Sequence, residues 1–500
     1  MNIKRAKQEI KDSIEAYLKK NEYGEYEIPS IRQRPILLMG PPGIGKTQIM
    51  EQIARECGIG LVAYTITHHT RQSAIGLPFI REKEYGGTMY SVTEYTMSEI
   101  IASVYEKIEK TGNKEGILFI DEINCVSETL APTMLQFLQC KMFGNQKIPD
   151  GWMIVAAGNP PEYNKSVRDF DVVTLDRIKK IDVEADYGVW KEYAYQAGIH
   201  PSILAYLEIR KEYFYRMETT VDGKAFVTAR GWEDLSRFIQ VYEELGKEID
   251  REVVHQYLQH GKIAKDFANY YALYKKYKED YGIERILQGQ FQPETIQRLK
   301  FAAFDEKLSV VELLNGKLSE LFQKCWKTDM YVTHLFSWLK QMKARGSAED
   351  IAKEAKEVLK QRKQAEQLGK EEEYSFKDVI ADLEGYCQMQ QEEHLDFPEA
   401  FERIREDFQK KTQKREQEIE ETQEALYHAF EFMEEAFGES QEMVVFVTEL
   451  NVNYYSIQFI KENGCDKYYQ YNKGLLFDEQ QEAISTELDS LKQKLRLSES

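Results

Sequence analysis

The sequence predicts a three-layer α/β domain built on a parallel sheet, followed by a small helical domain and a long all-α C-terminal region. Three observations predict it. Short apolar, β-rich runs alternate with helical stretches up to about Glu184, the pattern of a buried parallel sheet covered on both faces. From about Ala185 the strands give out and amphipathic helical spacing takes over. The chain has 500 residues, 42% hydrophobic and 30% charged, which suits two or three core-forming domains and excludes a disordered polymer.

Residues 1–29 open with "MNIKRAKQEIKDSIEAYLKK", where charged and apolar positions alternate at helical spacing. This predicts an N-terminal helix and lacks the apolar core of a signal peptide. No apolar run approaches the ~20 residues that cross a bilayer, so no membrane insertion is expected and the expected location is cytoplasmic.

The α/β core is expected over 30–184. Its strands are "PILLM" (35–39), "GLVAYTIT" (60–67), "GILFI" (116–120) and "WMIVAAG" (152–158), with helices such as "TQIMEQIAREC" and "SETLAPTMLQFLQC" between them. Gly86–Gly87 sits between two β-prone arms in "PFIREKEYGGTMYSVTEY" and predicts a hairpin; "KMFGNQKIPDGW" predicts a smaller one.

Residues 185–250 read as a helical lid, in "VWKEYAYQAG", "HPSILAYLEIRKEYF" and "ARGWEDLSRFIQVYEELG". Residues 251–500 read as a helical C-terminal domain. Between Phe397 and Phe437 the apolar residues keep one face, but the centre, "KKTQKREQEIEE", is weakly apolar, so a long helix hairpin or imperfect coiled coil is expected there. "EMVVFVTELNVNYYSIQFIKENG" is β-branched, yet Met443, Val447, Leu450, Tyr454 and Ile457 keep helical spacing; one helix is expected, stopped by Gly464.

The six cysteines are scattered without CxxC pairs or histidines at metal-ligand spacing, so reduced thiols are expected. A net charge of -19 argues against a nucleic-acid partner, whose phosphates need a basic face.

Chemistry enters with "GPPGIGKT", Gly40 to Thr47, directly behind the first apolar run. It fits G-x-x-x-x-G-K-[ST]. The glycines let the backbone curl so that successive N–H groups face phosphate oxygens, and the following helix adds its positive end. Lys46 supplies a mobile charge to the β- and γ-phosphates, and the Thr47 hydroxyl can ligate Mg²⁺. "ILFIDEIN" ends a strand on two carboxylates: Asp121 can orient Mg²⁺, and Glu122 can take a proton from an attacking water. "IVAAGNP" closes an apolar strand with Asn159, which either holds that water or simply forms a turn before Pro160.

The order of these parts resembles the AAA+ ATPases, and more closely the MoxR-type, dynein-related group, which carries a hairpin inserted in its second helix. The resemblance rests on "GPPGIGKT", "TRQSAIGLPFI" with the Gly86–Gly87 hairpin, "ILFIDEIN", "GWMIVAAGNPPEYN", "TLDRIKKI" and "GIHPSILAYLEIRKEYF…FVTARGWEDLSRF", roughly residues 30 to 245. It implies ATP and Mg²⁺ as cofactors. Gly40, Pro41, Pro42, Gly43, Ile44, Gly45, Lys46, Thr47 and Asp121 would bind them, Thr47 and Asp121 holding the metal. Glu122 would be the general base and Asn159 the first sensor. Arg177 would be the arginine finger entering a neighbouring subunit, with Arg168 its rival. Arg230 would be the second sensor on the lid, although Ala229 stands where the family usually has proline.

The resemblance further implies a homo-oligomeric ring, most often a hexamer, that remodels a client protein. The expected function is a MoxR-like chaperone driven by ATP hydrolysis, with a client or adaptor that carries a von Willebrand factor A domain. Two alternatives stay open: a nucleotide-gated scaffold with little turnover, and a DNA-acting motor.

Overall fold

In the computed structural model, which describes residues 1–68, 70–163, 167, 170–220, 223–365 and 367–473, the chain divides into two compact units. One holds Met1–Val189, Thr228–Arg230 and Lys353–Glu373; the other holds Trp190–Val227, Gly231–Ala352 and the described residues from Tyr374 onward. The segments expected at 185–250 and from 251 thus lie mainly in one unit.

Eleven strands occur among the described residues: β1 (Ile36–Met39), β2 (Gly60–Thr65), β3 (Pro78–Tyr85), β4 (Thr88–Tyr95), β5 (Gly116–Asp121), β6 (Met142–Phe143), β7 (Gln146–Lys147), β8 (Trp152–Gly158), β9 (Lys179–Asp182), β10 (Arg216–Thr220) and β11 (Gly223–Val227). In the first unit five of them form a parallel sheet in the order β2-β5-β8-β1-β9. Side chains alternate between its faces. Leu37, Leu118, Ile120, Ile154 and Ala156 meet the helices Glu99–Thr111 and Ala131–Cys140 on one side. Ile36, Leu38, Ile117, Phe119, Val155 and Ala157 meet the helices Ile3–Leu18 and Lys46–Cys57 on the other. A strand buried on both faces has no room for polar alternation, which is why these runs are continuously apolar.

β3 and β4 form the expected antiparallel hairpin, Tyr85 opposite Thr88. Gly86 and Gly87 both have positive φ, at 61° and 83°, as a two-residue turn of the mirror-image type requires. β6 and β7 form the second hairpin.

Three expectations in the second unit need correction. Strands do not cease after Ala185, because β10 and β11 pair antiparallel. Of the two alternatives at 397–437, the hairpin does not form: Phe397–Phe437 is one helix of 41 residues. It lies against the 42-residue helix Phe304–Arg345, with Arg415 bonded to Asp329 and Thr328 to Glu418. Its polar centre contains no Gly or Pro and, apart from Thr412 and Ile419, is made of Lys, Arg, Glu and Gln, all good helix formers, so the helix passes through it. Finally, Gln441–Val452 and Tyr454–Asn463 are two helices. Asn453 divides them because its side-chain oxygen accepts from the Tyr455 and Ser456 amides and restarts the helix.

Candidate nucleotide site

Because β5, β8 and β1 are adjacent and parallel, their carboxyl ends open on one edge of the sheet. β5 itself ends on Asp121, and the segments that follow the three strands carry Glu122, Asn159 and Gly40–Thr47 respectively. Sheets of this topology place ligand-binding groups on that edge. The loop Gly40–Gly45 turns through Gly43 (φ 75°) and Gly45 (φ 91°), left-handed values that favour glycine. Gly40 has no space for a side chain, since a Cβ there would lie 2.6 Å from the Val183 carbonyl. Its amide also donates to the Gly158 carbonyl at 3.3 Å, tying the loop to β8.

Helix Lys46–Cys57 starts immediately after the loop, so its free N-terminal amides face the same edge. Lys46 is 8% exposed. Its ammonium donates to the carbonyls of Gly40 (2.7 Å) and Pro41 (2.8 Å) and to Asn159 Oδ1 (2.8 Å). Burial pushes its pKa down to about 8; Arg230 pushes the same way, against the opposing charges of Asp121 and Glu122.

The Thr47 hydroxyl donates to Asp121 Oδ2 at 2.9 Å, and the Glu122 amide donates to Asp121 Oδ1 at 2.9 Å. Glu122 itself is left-handed, with φ 57°. Such a backbone is uncommon for a residue with a side chain and collects at functional sites. Its Oε2 accepts from the Thr67 hydroxyl at 2.9 Å. Asn124 donates to the Asn159 main-chain oxygen at 2.8 Å.

Thr47 and Asp121 fit Mg²⁺. Both offer hard oxygens, brought within 2.9 Å of each other by the hydrogen bond between them, so the pair could hold the cation from one side. Among the described residues no group of three or more His, Cys, Asp or Glu side chains could hold a metal by itself, so a metal here must share its shell with phosphates or water.

Arg230 belongs to the same unit. A Cβ added at Gly43 would meet Thr228 at 3.1 Å and the Arg230 Cβ at 3.5 Å, so this short segment sits on the loop. The helix begins at Ala229 without the family's proline, with Arg230 exposed in its first turn. Arg177 is not brought to the cluster; it is exposed and donates to Gln139 Oε1 at 2.5 Å. Arg168, its rival, lies outside the described residues.

Sequence reasoning missed Thr67 and Asn124. Thr67 follows β2, whose neighbour in the sheet is β5, and that adjacency puts it beside Glu122. Asn124 was visible only as the last letter of "DEIN".

Residues 36–174 match the family model described as "ATPase family associated with various cellular activities (AAA)", so the chain carries an AAA ATPase domain. A solved structure of a RuvB mutant from Thermotoga maritima is similar at 16% identity over 40% of this chain and 51% of that one, with a TM-score of 0.24. No curated protein matches the chain in sequence. Among the described residues no helix is long and apolar enough to cross a membrane.

Proposed function

We propose that the AAA domain at residues 36–174, closed by Thr228–Arg230, binds MgATP and hydrolyses it to ADP and phosphate, and that a ring of such subunits uses the energy to remodel a client protein complex. One observation carries the hydrolase reading. Lys46, Thr47, Asp121, Glu122 and Asn159 come from three neighbouring strand ends and share hydrogen bonds at one edge of the sheet.

Phosphoryl transfer to water needs positioning and charge neutralisation more than covalent chemistry. In this reading Lys46 exchanges its three protein partners, the Gly40 and Pro41 carbonyls and Asn159 Oδ1, for β- and γ-phosphate oxygens, while the amides of Gly43–Thr47 take the remaining charge. Thr47 and Asp121 would hold Mg²⁺, whose contribution when bound is to neutralise the transferred group. Glu122 accepts the proton of the water that attacks the γ-phosphorus. Asn159 holds that water in line, and Arg230 reads the phosphates from the lid. Arg177, exposed and away from its own site, would exchange its bond to Gln139 for a phosphate in a neighbouring copy, where such a finger is worth about 10³–10⁵ in rate.

The client half of the proposal rests on the resemblance to the MoxR-type group, which also nominates a partner with a von Willebrand factor A domain. A nucleotide-gated scaffold is the second reading, favoured by the Thr67 hydroxyl bond that occupies Glu122.

Steady-state hydrolysis decides between them. The hydrolase predicts MgATP turnover, lost with binding in Lys46→Ala and lost with ATP retained in Glu122→Gln. ATP-dependent assembly with no turnover is the scaffold's result. Mixing Arg177→Ala with Glu122→Gln subunits tests the finger: some interfaces then pair an intact base with an intact finger. Activity that never recovers at any ratio refutes a finger acting in trans.

A further inference from the structure

Asn124 sits in the short 3-10 turn Ile123–Cys125 directly after Glu122, and is 3% exposed. One half of its amide is used and the other is not. Nδ2 donates to the Asn159 carbonyl at 2.8 Å, whereas Oδ1 has no hydrogen-bond partner. Turning the amide over would set Oδ1 against the Asn159 oxygen, acceptor to acceptor, so the present orientation is the bonded one. Oδ1 also fills the space beside Gly158: a Cβ on that glycine would lie 2.6 Å from it. Gly158 has no positive φ, so its missing side chain makes room for Asn124 and does not serve a turn.

A buried residue kept only for packing would be apolar, like its neighbour Ile123, and would leave no lone pair unpaired. The donor is what leucine at this site would lack. It acts on one peptide group, the one following Asn159. The peptide preceding Asn159 is held independently, since the Gly158 carbonyl accepts from the Gly40 amide at 3.3 Å. With both flanking peptides anchored, the Asn159 backbone has little freedom, and its side chain meets Lys46 at 2.8 Å.

We propose that Asn124 is a positioning residue for ATP hydrolysis: it grips the Asn159 carbonyl and so aims the Asn159 side chain at the phosphate site. The inference rests on the hydrolase reading above. It also gives "DEIN" a third working residue beyond the two carboxylates, acting through another residue and never touching nucleotide.

The test uses the full-length protein and MgATP. Asn124→Leu keeps the branched outline, removes the donor and removes the unpaired oxygen, and cooperative urea unfolding like the wild type's checks that it folds. Its kcat should fall roughly ten- to a hundred-fold, the usual scale for a partner one shell out, while the ATP dissociation constant stays at the wild-type value. Asn124→Asp supplies a second readout. Its new carboxyl can donate only when protonated, so its turnover should rise towards acid relative to the wild-type profile. Wild-type kcat in Asn124→Leu, or an Asn124→Asp pH profile parallel to the wild type's, overturns the proposal while the hydrolase reading stands. A wild-type protein that binds MgATP and never turns it over overturns both.

Discussion

Glu312 is the group whose titration should be visible in the stability of the second unit. It lies on the helix Phe304–Arg345, is 2% exposed, and its Oε1 has no hydrogen-bond partner. Around it stands a buried ionic network. Lys191 Nζ lies 2.6 Å from Glu208 Oε2 and is also bonded to Glu449, which in turn accepts from the Tyr195 hydroxyl. Tyr270 and Tyr274, on the helix Gly261–Tyr281, would feel its charge once it ionises. Burial drives the Glu312 carboxyl far above the carboxylate range; Glu449 and Glu208 push the same way, against Lys191 and Lys211.

The folded chain therefore keeps a proton that the unfolded chain releases near pH 4.3. With more protons bound in the folded state, stability must fall as pH rises. The slope is about 1.4 kcal/mol per pH unit, from just above that value up to the folded-state pKa. Each pH unit inside that window is an appreciable share of the ~5–15 kcal/mol that holds a typical domain. Glu208 and Glu243 have lowered values, so their contributions are lost only on the acid side of this window. The assay is urea unfolding followed by tryptophan fluorescence from pH 5 to 8, comparing wild type with Glu312→Gln. The neutral amide should abolish this slope and make the variant the more stable protein at pH 8. An unchanged slope, or a variant weaker than wild type at pH 8, refutes the reasoning.

Lys46, with its pKa near 8, must be charged to hold a phosphate. ATP affinity should fall by up to about tenfold per pH unit above that value; a flat binding profile to pH 9.5 excludes it. Thr67→Val frees the Glu122 carboxylate and should raise basal turnover with ATP affinity unchanged, a result that a tenfold loss of kcat would contradict. Asn453→Ala removes the cap of Tyr454–Asn463 and its 2.8 Å bond to Ser319. It should cost about 1–2 kcal/mol in urea unfolding, and an unchanged midpoint would show that the cap is dispensable.

What the sequence made legible follows burial. The strand at 152–158 was read to the residue because all its side chains are enclosed. β9, "KKID", buries only Ile181, and so leaves no apolar run to find. β10 and β11 are short and largely uncovered; Asp222–Gly223 between β-prone arms was the available turn signal. At 397–437 the hairpin stayed open as an alternative because the centre buries little, while propensity carries the helix through it. In the site, the loop glycines, Lys46, Thr47 and the paired acids were readable because their function constrains neighbours in sequence. Thr67 and Asn124 were not, because their partners arrive through strand order, Glu122 from β5 and Asn159 from β8.

The same hydrogen bonds set how nucleotide must be taken up. All three Lys46 bonds go to protein oxygens, the Thr47 hydroxyl is given to Asp121, and Glu122 is given to Thr67. Binding MgATP in the proposed manner therefore exchanges bonds instead of satisfying idle donors, and each exchange yields little net free energy. The gain must come from charge: a lysine that burial has made reluctant to stay protonated regains a strong anionic partner. That same exchange releases the Asn159 side chain from Lys46. Freed at the moment phosphate arrives, and with its backbone still gripped by Asn124 and Gly40, it can turn to the water only in the presence of nucleotide. The proposed site would then assemble its hydrolytic geometry as a consequence of binding.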